Sequence, residues 1–196
     1  MSISSQMTDA DLTTNDIMHL YEHHGGEDYD GEPVSQASHM IQCAMLAISE
    51  HAGDELIVGA FLHDLGHLLK HRQLTDAMGT FGVVNHESIG GDFLHERGFS
   101  ERVRAVVEMH VQAKRYLVAT EVTYKDNLSA ASLQTLEWQG GPMSQTETGA
   151  FRQHPYFDDI IRVRKWDEQS KDPKADLLPL SYFRNLVLQH LSKLKL

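Results

Sequence analysis

The sequence has a single cysteine, Cys43, in 196 residues. No disulfide can form within the chain, which excludes a fold stapled by disulfides. The N-terminal stretch MSISSQMTDADLTTND also lacks the basic and apolar regions of a secretory signal. From these two features we expect a cytoplasmic protein.

Positive charge and long apolar runs are also scarce. The chain has 17 lysines and arginines against 28 acidic residues, for a net charge of −11. Nucleic acids and anionic membranes both favour a basic surface, so we expect neither as a partner. No apolar run approaches the roughly 18–20 residues of a membrane span. A small anionic substrate stays compatible with this charge if a few cations are placed locally.

The sequence contains no repeat and no convincing alternating strand pattern, whereas helical periodicity is present almost throughout. With 41% hydrophobic residues it can build a real core. We therefore predict an all-α bundle forming one domain, 1–196. The expected helices run from about Asp11 to His24, Ser35 to His51, Asp54 to about Lys70, Asn85 to Gly98, Ser100 to Leu117, Ser129 to Trp138, Ser144 to before Pro155, Tyr156 to about Ser170, and Ser181 to the end. A turn at Asp30-Gly31 and an irregular loop from Lys70 to Val84 separate some of them.

The stretch AFLHDLGHLLK places polar residues inside an otherwise apolar helix. His63 and His67 are four positions apart and share a helix face, and Asp64 directly follows His63. Buried polar groups are costly unless they are paired or bind a metal. Taken alone, the stretch is compatible with either a metal site or a buried polar pair.

Other helices contribute similar side chains. His110 follows the apolar stripe of its helix, and His39, His86 and Asp167 can each reach an inner face. Each has an ordinary interpretation by itself, as a core histidine or a solvated charge. Together with His63 and Asp64 they give four histidines and two carboxylates, a set that favours iron, manganese or zinc. All six can act as ligands if the bundle holds two ions bridged by a carboxylate. The candidate ligands are His39, His63, Asp64, His86, His110 and Asp167.

These residues match the H…HD…D signature of HD-domain proteins, and the additional His86 and His110 mark its two-metal branch. The stretches EDYDGEPVSQASHMIQCA, HVQAKRY, TLEWQGGPMSQTE and WDEQSKD further resemble PhnZ-type mixed-valent diiron oxygenases. The resemblance covers nearly the whole chain. It implies two iron ions, Fe(II) and Fe(III), held by the six ligands with Asp64 as the bridge, and O2 as co-substrate.

The resemblance also assigns roles around the metals. Tyr29 would plug an iron site until substrate displaces it, and Glu32 would bind a cationic nitrogen of the substrate. The phosphonate group would be held by His67, Lys114, Ser132 and Arg164. Spacing agrees for two of these, because Lys114 lies one helical turn after His110 and Arg164 one turn before Asp167. The catalytic candidates are Tyr29, Glu32 and His67. One turn after Ser132 the family pattern has an amide where this chain has Thr135, with Gln134 beside it.

The implied reaction is oxidative cleavage of a carbon–phosphorus bond. R-CH(OH)-PO3H2 and O2 give R-COOH and H3PO4, so the substrate supplies all four electrons. Candidate substrates are 2-amino-1-hydroxyethylphosphonate, which yields glycine, and its N-trimethyl form, which yields glycine betaine; the sequence leaves this choice open. The main alternative is a metal-dependent HD phosphohydrolase, because the same ligands can hold ions that activate water. A polyol oxygenase and a ligand-sensing HD module are weaker alternatives, since Glu32 suits a cation and the ligand set is complete.

Overall fold

The computed structural model describes residues 7–29, 31–71 and 85–194. Within these ranges the chain forms ten α-helices, two short 3-10 turns and no β-strand, which confirms the predicted all-α class. The helices are α1 (Asp9–His24), α2 (Gln36–Ser49), α3 (Asp54–Leu62), α4 (Leu65–Leu68), α5 (His86–Glu96), α6 (Glu101–Thr120), α7 (Ala130–Trp138), α8 (Gln145–Phe151), α9 (Phe157–Gln169) and α10 (Leu180–Lys193). Asp30 and most of the loop expected from Lys70 to Val84 lie outside the described ranges.

Helix α3 is the centre of the bundle. Residues 56–62 are all buried, and the helix packs against α2, α6, α9 and α10. A helix that is apolar on every side is expected in the middle of a core. Its neighbours supply the rest of one hydrophobic cluster, through residues such as Met40, Val106, Trp166 and Phe183. This arrangement directs the end of α3 towards α2, α6 and α9.

Side-chain hydrogen bonds cap five of the ten helices in the described ranges. Ser35, Ser100 and Ser129 each accept a hydrogen bond from the backbone of the first turn. The predicted capping box between Ser144 and Glu147 is present at the start of α8. Asn85 differs: it precedes α5, but its side chain makes no capping bond. Its backbone is left-handed, with φ 57°, whereas a capping residue normally has the extended conformation.

The helix predicted from Asp54 to about Lys70 is interrupted at the His63–Asp64 pair. Helix α3 ends at Leu62, α4 begins at Leu65, and Asp64 has φ −105° and ψ 14°. Nδ1 of His63 donates a hydrogen bond of 2.9 Å to the carbonyl of Ala60, in the last turn of α3. The histidine side chain thus satisfies a carbonyl at the helix end. The prediction of one continuous helix is wrong here because the apolar periodicity on both sides gives no sign of such a contact.

Glycine at position 66 allows α5 to approach the break closely. A Cβ atom at Gly66 would lie 1.9 Å from the carbonyl oxygen of His86, far inside van der Waals contact. Only glycine therefore permits the first turn of α5 to lie directly against α4. No helix in the described ranges is long and apolar enough to cross a bilayer.

Candidate metal centre

The first group of candidate ligands lies where α2, the α3–α4 junction and α9 meet. Nε2 of His39 is 3.1 Å from Nε2 of His63 and 3.2 Å from Oδ1 of Asp167. All three side chains are buried, and their nearest ligand atoms lie within 4.8 Å of one another. Donor atoms bound at about 2.1 Å to one ion are separated by about 3 Å, so this spacing fits a shared cation.

The second group is built from α5, α6 and the same junction. Nε2 of His86 lies 3.1 Å from Nε2 of His110. Oδ1 of Asp64 is 3.4 Å from Nε2 of His86 and 3.3 Å from Nε2 of His110. The other oxygen, Oδ2, is 3.5 Å from Nε2 of both His39 and His63. Each oxygen of Asp64 therefore faces a different histidine pair, as in a bridging carboxylate.

Backbone carbonyls fix the orientation of three of the four histidines. A carbonyl can only accept a hydrogen bond, so in each case Nδ1 carries a proton and Nε2 is the ring nitrogen that can give its lone pair to a metal. The pairs are Nδ1 of His39 with Ser170 O at 3.0 Å, of His63 with Ala60 O at 2.9 Å and of His110 with Val107 O at 2.7 Å. Such outer contacts are typical of histidines that bind metals.

The arrangement is electrostatically incomplete with protein atoms alone. Lone pairs on His39 and His63 face each other at 3.1 Å, which is repulsive in the neutral state. Oδ2 of Asp64 is buried and accepts no hydrogen bond from any residue that the structure describes. Buried polar atoms normally find a partner, and a cation on each side of Asp64 would satisfy both conditions. The donor set, imidazole and carboxylate without thiolate, fits iron, manganese or zinc.

The ionisation of the centre agrees with this fit. Burial alone raises the pKa of Asp64, but the imidazoles of His63, His110 and His39 together outweigh it and hold that pKa well below its ordinary value. For Asp167, Arg164 together with His39 and His63 outweighs burial and likewise holds the pKa well below its ordinary value. In return, Asp64 raises the pKa of His63 well above its ordinary value in spite of burial. The carboxylates are thus anionic, and protons compete with a metal for the imidazoles.

His67 also lies close to the second group. Its ring stacks on that of His86 with centroids 4.0 Å apart, and one ligand atom is within 4.8 Å of those of Asp64 and His86. On distance alone, His67 therefore competes with His110 for the role of ligand. His110 fits it better, because Val107 orients its Nε2 towards Asp64 at 3.3 Å. Burial, with the nearby His86, lowers the pKa of His67 well below its ordinary value.

Tyr29 lies against the first group. Its ring stacks on that of His39 with centroids 4.1 Å apart and meets the ring of His67 edge-on at 6.3 Å. Burial, with the nearby charges of Asp64 and Asp167, raises the pKa of its phenol well above the ordinary value. The phenol is therefore neutral, and it lines the same cavity as the metal ligands.

Two cations from neighbouring helices enter this cavity, which has a volume of about 50 Å³. Nζ of Lys114 donates to Thr135 Oγ1 at 2.8 Å, and burial with repulsion from Arg164 lowers its pKa to about 7. Arg164 donates to Asp167 and Glu168 and, through Nε, to the hydroxyl of Tyr124 at 2.9 Å. Thr135 thus accepts a hydrogen bond from Lys114 at the position where an amide was expected. The cavity combines positive charge with a metal centre, which suits a compact anionic ligand.

Ser132 and Glu32 line the same cavity, but their contacts involve a residue that the sequence analysis missed. Nζ of Lys171 lies 2.9 Å from Oε1 of Glu32 and 3.5 Å from Ser132 Oγ. Ser129 donates to the same oxygen of Glu32. The available signal was the position of Lys171 four residues after Asp167, about one helical turn beyond a candidate ligand.

Two glutamine side chains in the cavity were also missed. Nε2 of Gln36 donates to Asp28 O at 3.4 Å, while its Oε1 is buried and accepts no hydrogen bond from the described part of the chain. Oε1 of Gln139 is likewise buried and accepts no hydrogen bond from the described residues. Both residues line the cavity. Neither carries a sequence signal, because glutamines are common on helix surfaces.

Comparison with known proteins agrees with this geometry. Residues 37–140, which include five of the six candidate ligands, match the HD domain family. The chain is 44% identical over 179 residues to "Uncharacterized protein L432" of Acanthamoeba polyphaga mimivirus, an alignment that covers 91% of this chain and 82% of that protein.

Two further relatives carry functional names. Identity is 39% over 169 residues to [1-hydroxy-2-(trimethylamino)ethyl]phosphonate dioxygenase (glycine-betaine-forming) of Leisingera caerulea, covering 84% of this chain and 82% of that protein. The chain is 36% identical over 157 residues to hydroxymethylphosphonate dioxygenase of Gimesia maris, an alignment that covers 79% of this chain and 76% of that protein. The chain therefore belongs to the HD-domain family, in the PhnZ-type branch that contains these two phosphonate dioxygenases.

Proposed function

We propose that this protein is an oxygenase that uses O2 to cleave the carbon–phosphorus bond of a small 1-hydroxyphosphonate at a pair of iron ions. The observation that carries the proposal is Asp64, whose two oxygens each face a separate histidine pair. This centre adjoins a cavity that contains Lys114 and Arg164. The names of the two phosphonate dioxygenase relatives support the reaction class.

The metal ligands in this proposal are the six side chains of the centre. His39, His63 and Asp167 would hold one ion and His86 and His110 the other, with Asp64 available to both. When bound, the iron pair supplies Lewis acidity and the redox capacity for a reaction with O2. The protein contributes the geometry: carbonyl contacts to Nδ1 keep the Nε2 lone pairs directed inwards without further rearrangement.

The phosphonate group is bound by residues on four helices. Lys114 and Arg164 supply positive charge, while His67 and Ser132 supply further polar contacts. Because the pKa of Lys114 is about 7, an arriving dianion also favours the protonated form of this lysine. Fixing the phosphonate at several points orients C1 of the substrate towards the metals, and orientation of this kind lowers the barrier of the chemical step.

Tyr29 and Glu32 act at the other end of the cavity. Stacked on the ring of His39, Tyr29 covers the first metal group and is displaced when substrate enters. Glu32 binds a cationic nitrogen at C2 where the substrate has one. The substrate is then 2-amino-1-hydroxyethylphosphonate or its N-trimethyl form, and the products are phosphate with glycine or glycine betaine.

Overall, one substrate and one O2 give one carboxylic acid and one phosphate, with no external reductant. The test is to load the purified protein with iron and follow O2 uptake and phosphate release together for both forms and for hydroxymethylphosphonate. Equal amounts of O2 consumed and phosphate formed are expected with at least one of them. Phosphate release without O2 uptake would contradict the oxygenase, and so would the absence of phosphate from all three substrates.

A further inference from the structure

The carboxylate of Glu32 already has a cation beside it inside the protein. Nζ of Lys171 lies 2.9 Å from Oε1 of Glu32, and the two side chains are only 14% and 7% exposed. Ser129 also donates to this oxygen. Among the residues that the structure describes, none donates to the second oxygen, Oε2. Glu32 is therefore a shared carboxylate rather than an isolated negative charge.

Lys171 is itself held between two carboxylates. Its Nζ lies 2.8 Å from Oε1 of Glu168, and Glu168 also accepts a hydrogen bond from Arg164. Arg164 also binds Asp167, so its charge is shared between two carboxylates. Lys171 is the cation that lies directly against Glu32, and it offsets the negative charge that Glu32 presents to the cavity. In a partly buried site, water screens such charges less than it does at the surface.

Lys171 also reaches the part of the cavity assigned to the phosphonate. Its Nζ is 3.3 Å from Ser129 Oγ and 3.5 Å from Ser132 Oγ, and Ser132 is a candidate phosphonate-binding residue. The positive charge of Lys171 therefore favours an anionic group and opposes a second cation beside Glu32. Both effects reduce the advantage of a positively charged substrate.

We infer that Lys171 is a specificity-determining residue that acts through Glu32, neutralising it so that the cavity accepts 1-hydroxyphosphonates without a cationic nitrogen. The inference rests on the proposed function, because it concerns the substrate of that same site. It predicts that removal of the lysine charge increases the preference for cationic substrates, while arginine at this position preserves the original preference.

The test compares two phosphonates of the same shape that differ only in charge at the far end. These are 2-aminoethylphosphonate and propylphosphonate, neither of which has the C1 hydroxyl needed for turnover. Their Kd values are measured calorimetrically on the iron-loaded protein without O2. In K171M we expect the ratio of the propylphosphonate Kd to the 2-aminoethylphosphonate Kd to rise roughly ten-fold over wild type. In K171R the ratio stays close to that of wild type.

A double-mutant cycle separates this role from a structural one. In an E32Q background the K171M effect on the ratio should disappear, because the carboxylate through which Lys171 acts is absent. Lys165, an exposed lysine of α9 that pairs with Glu121, gives the matched control: K165M makes the same change in net charge and should leave the ratio unaltered.

The outcomes distinguish the two proposals. The inference is overturned if the ratio is unchanged in K171M or if both ligands bind more weakly by the same factor. The proposed reaction is tested separately, by O2 uptake and phosphate release in wild type. A ratio that still rises in the E32Q background also overturns it, because Lys171 would then not act through Glu32. If wild type binds neither phosphonate and turns over none of the hydroxyphosphonates, the proposed function fails and the inference fails with it.

Discussion

The Nε2 atoms of His39 and His63 face each other across 3.1 Å in a fully buried setting. Both rings have Nδ1 bound to a backbone carbonyl, so neither can turn its lone pair away without losing that bond. Two buried acceptors at this distance are unfavourable unless a proton or a metal ion lies between them. The relationship therefore indicates that a proton or a metal ion is held between the two imidazoles, and this conclusion does not depend on sequence similarity.

The first prediction concerns the bridging role of Asp64. In D64N the side chain keeps its size but loses its negative charge, and an amide nitrogen cannot serve as a metal ligand. We expect iron content after reconstitution to fall below one ion per chain, with turnover abolished, and H63A to behave similarly. Metal analysis by mass spectrometry measures this directly.

Circular dichroism controls for folding, since a variant that keeps its helical signal has lost the metals and not the fold. Asp176, an acidic residue outside the centre, provides the matched control, and D176N should retain wild-type iron content. Full iron occupancy or retained activity in D64N would contradict the assignment of Asp64 as a bridge.

The second prediction separates the roles of His110 and His67, which both lie near the second metal group. Because Nε2 of His110 is directed at Asp64, H110A should lose one ion. H67A should keep both ions and instead raise KM for the phosphonate roughly ten-fold, the effect of losing about one charge-assisted hydrogen bond. Metal content and steady-state kinetics on the two variants provide the comparison. The reverse pattern, with metal lost in H67A and retained in H110A, would exchange the two assignments.

The third prediction tests the close approach of α4 and α5. In G66A the new methyl group would lie 1.9 Å from the His86 carbonyl oxygen, and a backbone atom cannot move aside as a flexible side chain can. We expect a loss of about 1–3 kcal/mol in the free energy of unfolding, together with reduced iron content because His86 must shift. Urea unfolding of the metal-free protein measures the first effect. Gly26, where an added Cβ meets no atom within 4 Å, supplies the control G26A.

Much of the fold follows from local signals in the sequence. Helical periodicity identified the helices, and serines at helix starts placed several of them to within a residue or two, as at Ser100 and Ser144. These signals succeed because capping and amphipathic burial depend on residues close together in the chain. The candidate ligands could also be predicted from the sequence, since histidine on an apolar stripe is unusual. Their roles as iron ligands, like the single domain 1–196, stay predictions.

Other features depend on contacts between distant segments. The break at His63–Asp64 arises where a side chain serves the helix end, and nothing in the apolar pattern indicates it. Lys171 meets Glu32 only because the segment after α9 and the loop before α2 converge on the same cavity. The orphan amide oxygens of Gln36 and Gln139 likewise become meaningful only when the cavity is seen. Periodicity and spacing cannot report such pairings.

The fourth prediction concerns His190, a buried histidine far from the metal centre. Its Nε2 accepts a hydrogen bond of 3.4 Å from the amide of Ser100, and its ring stacks on Phe99 with centroids 5.4 Å apart. Burial lowers the pKa of His190 below its ordinary value, although the charge of Glu55 partly opposes this. The folded protein is therefore more stable when the His190 ring is neutral than when it is protonated.

The sign of the pH effect follows from linkage. The unfolded chain takes up a proton on this histidine near pH 6.5, while the folded chain does so only at lower pH. The stabilisation is thus complete above about pH 6.5 and is lost as the pH falls below that value. We expect the free energy of unfolding to decrease less between pH 7.5 and 5.5 in H190Q than in wild type, because glutamine can accept the Ser100 hydrogen bond but does not titrate. The exposed His51 gives the control H51N, which should follow the wild-type slope; equal slopes for H190Q and wild type would show that His190 has no part in the acid sensitivity.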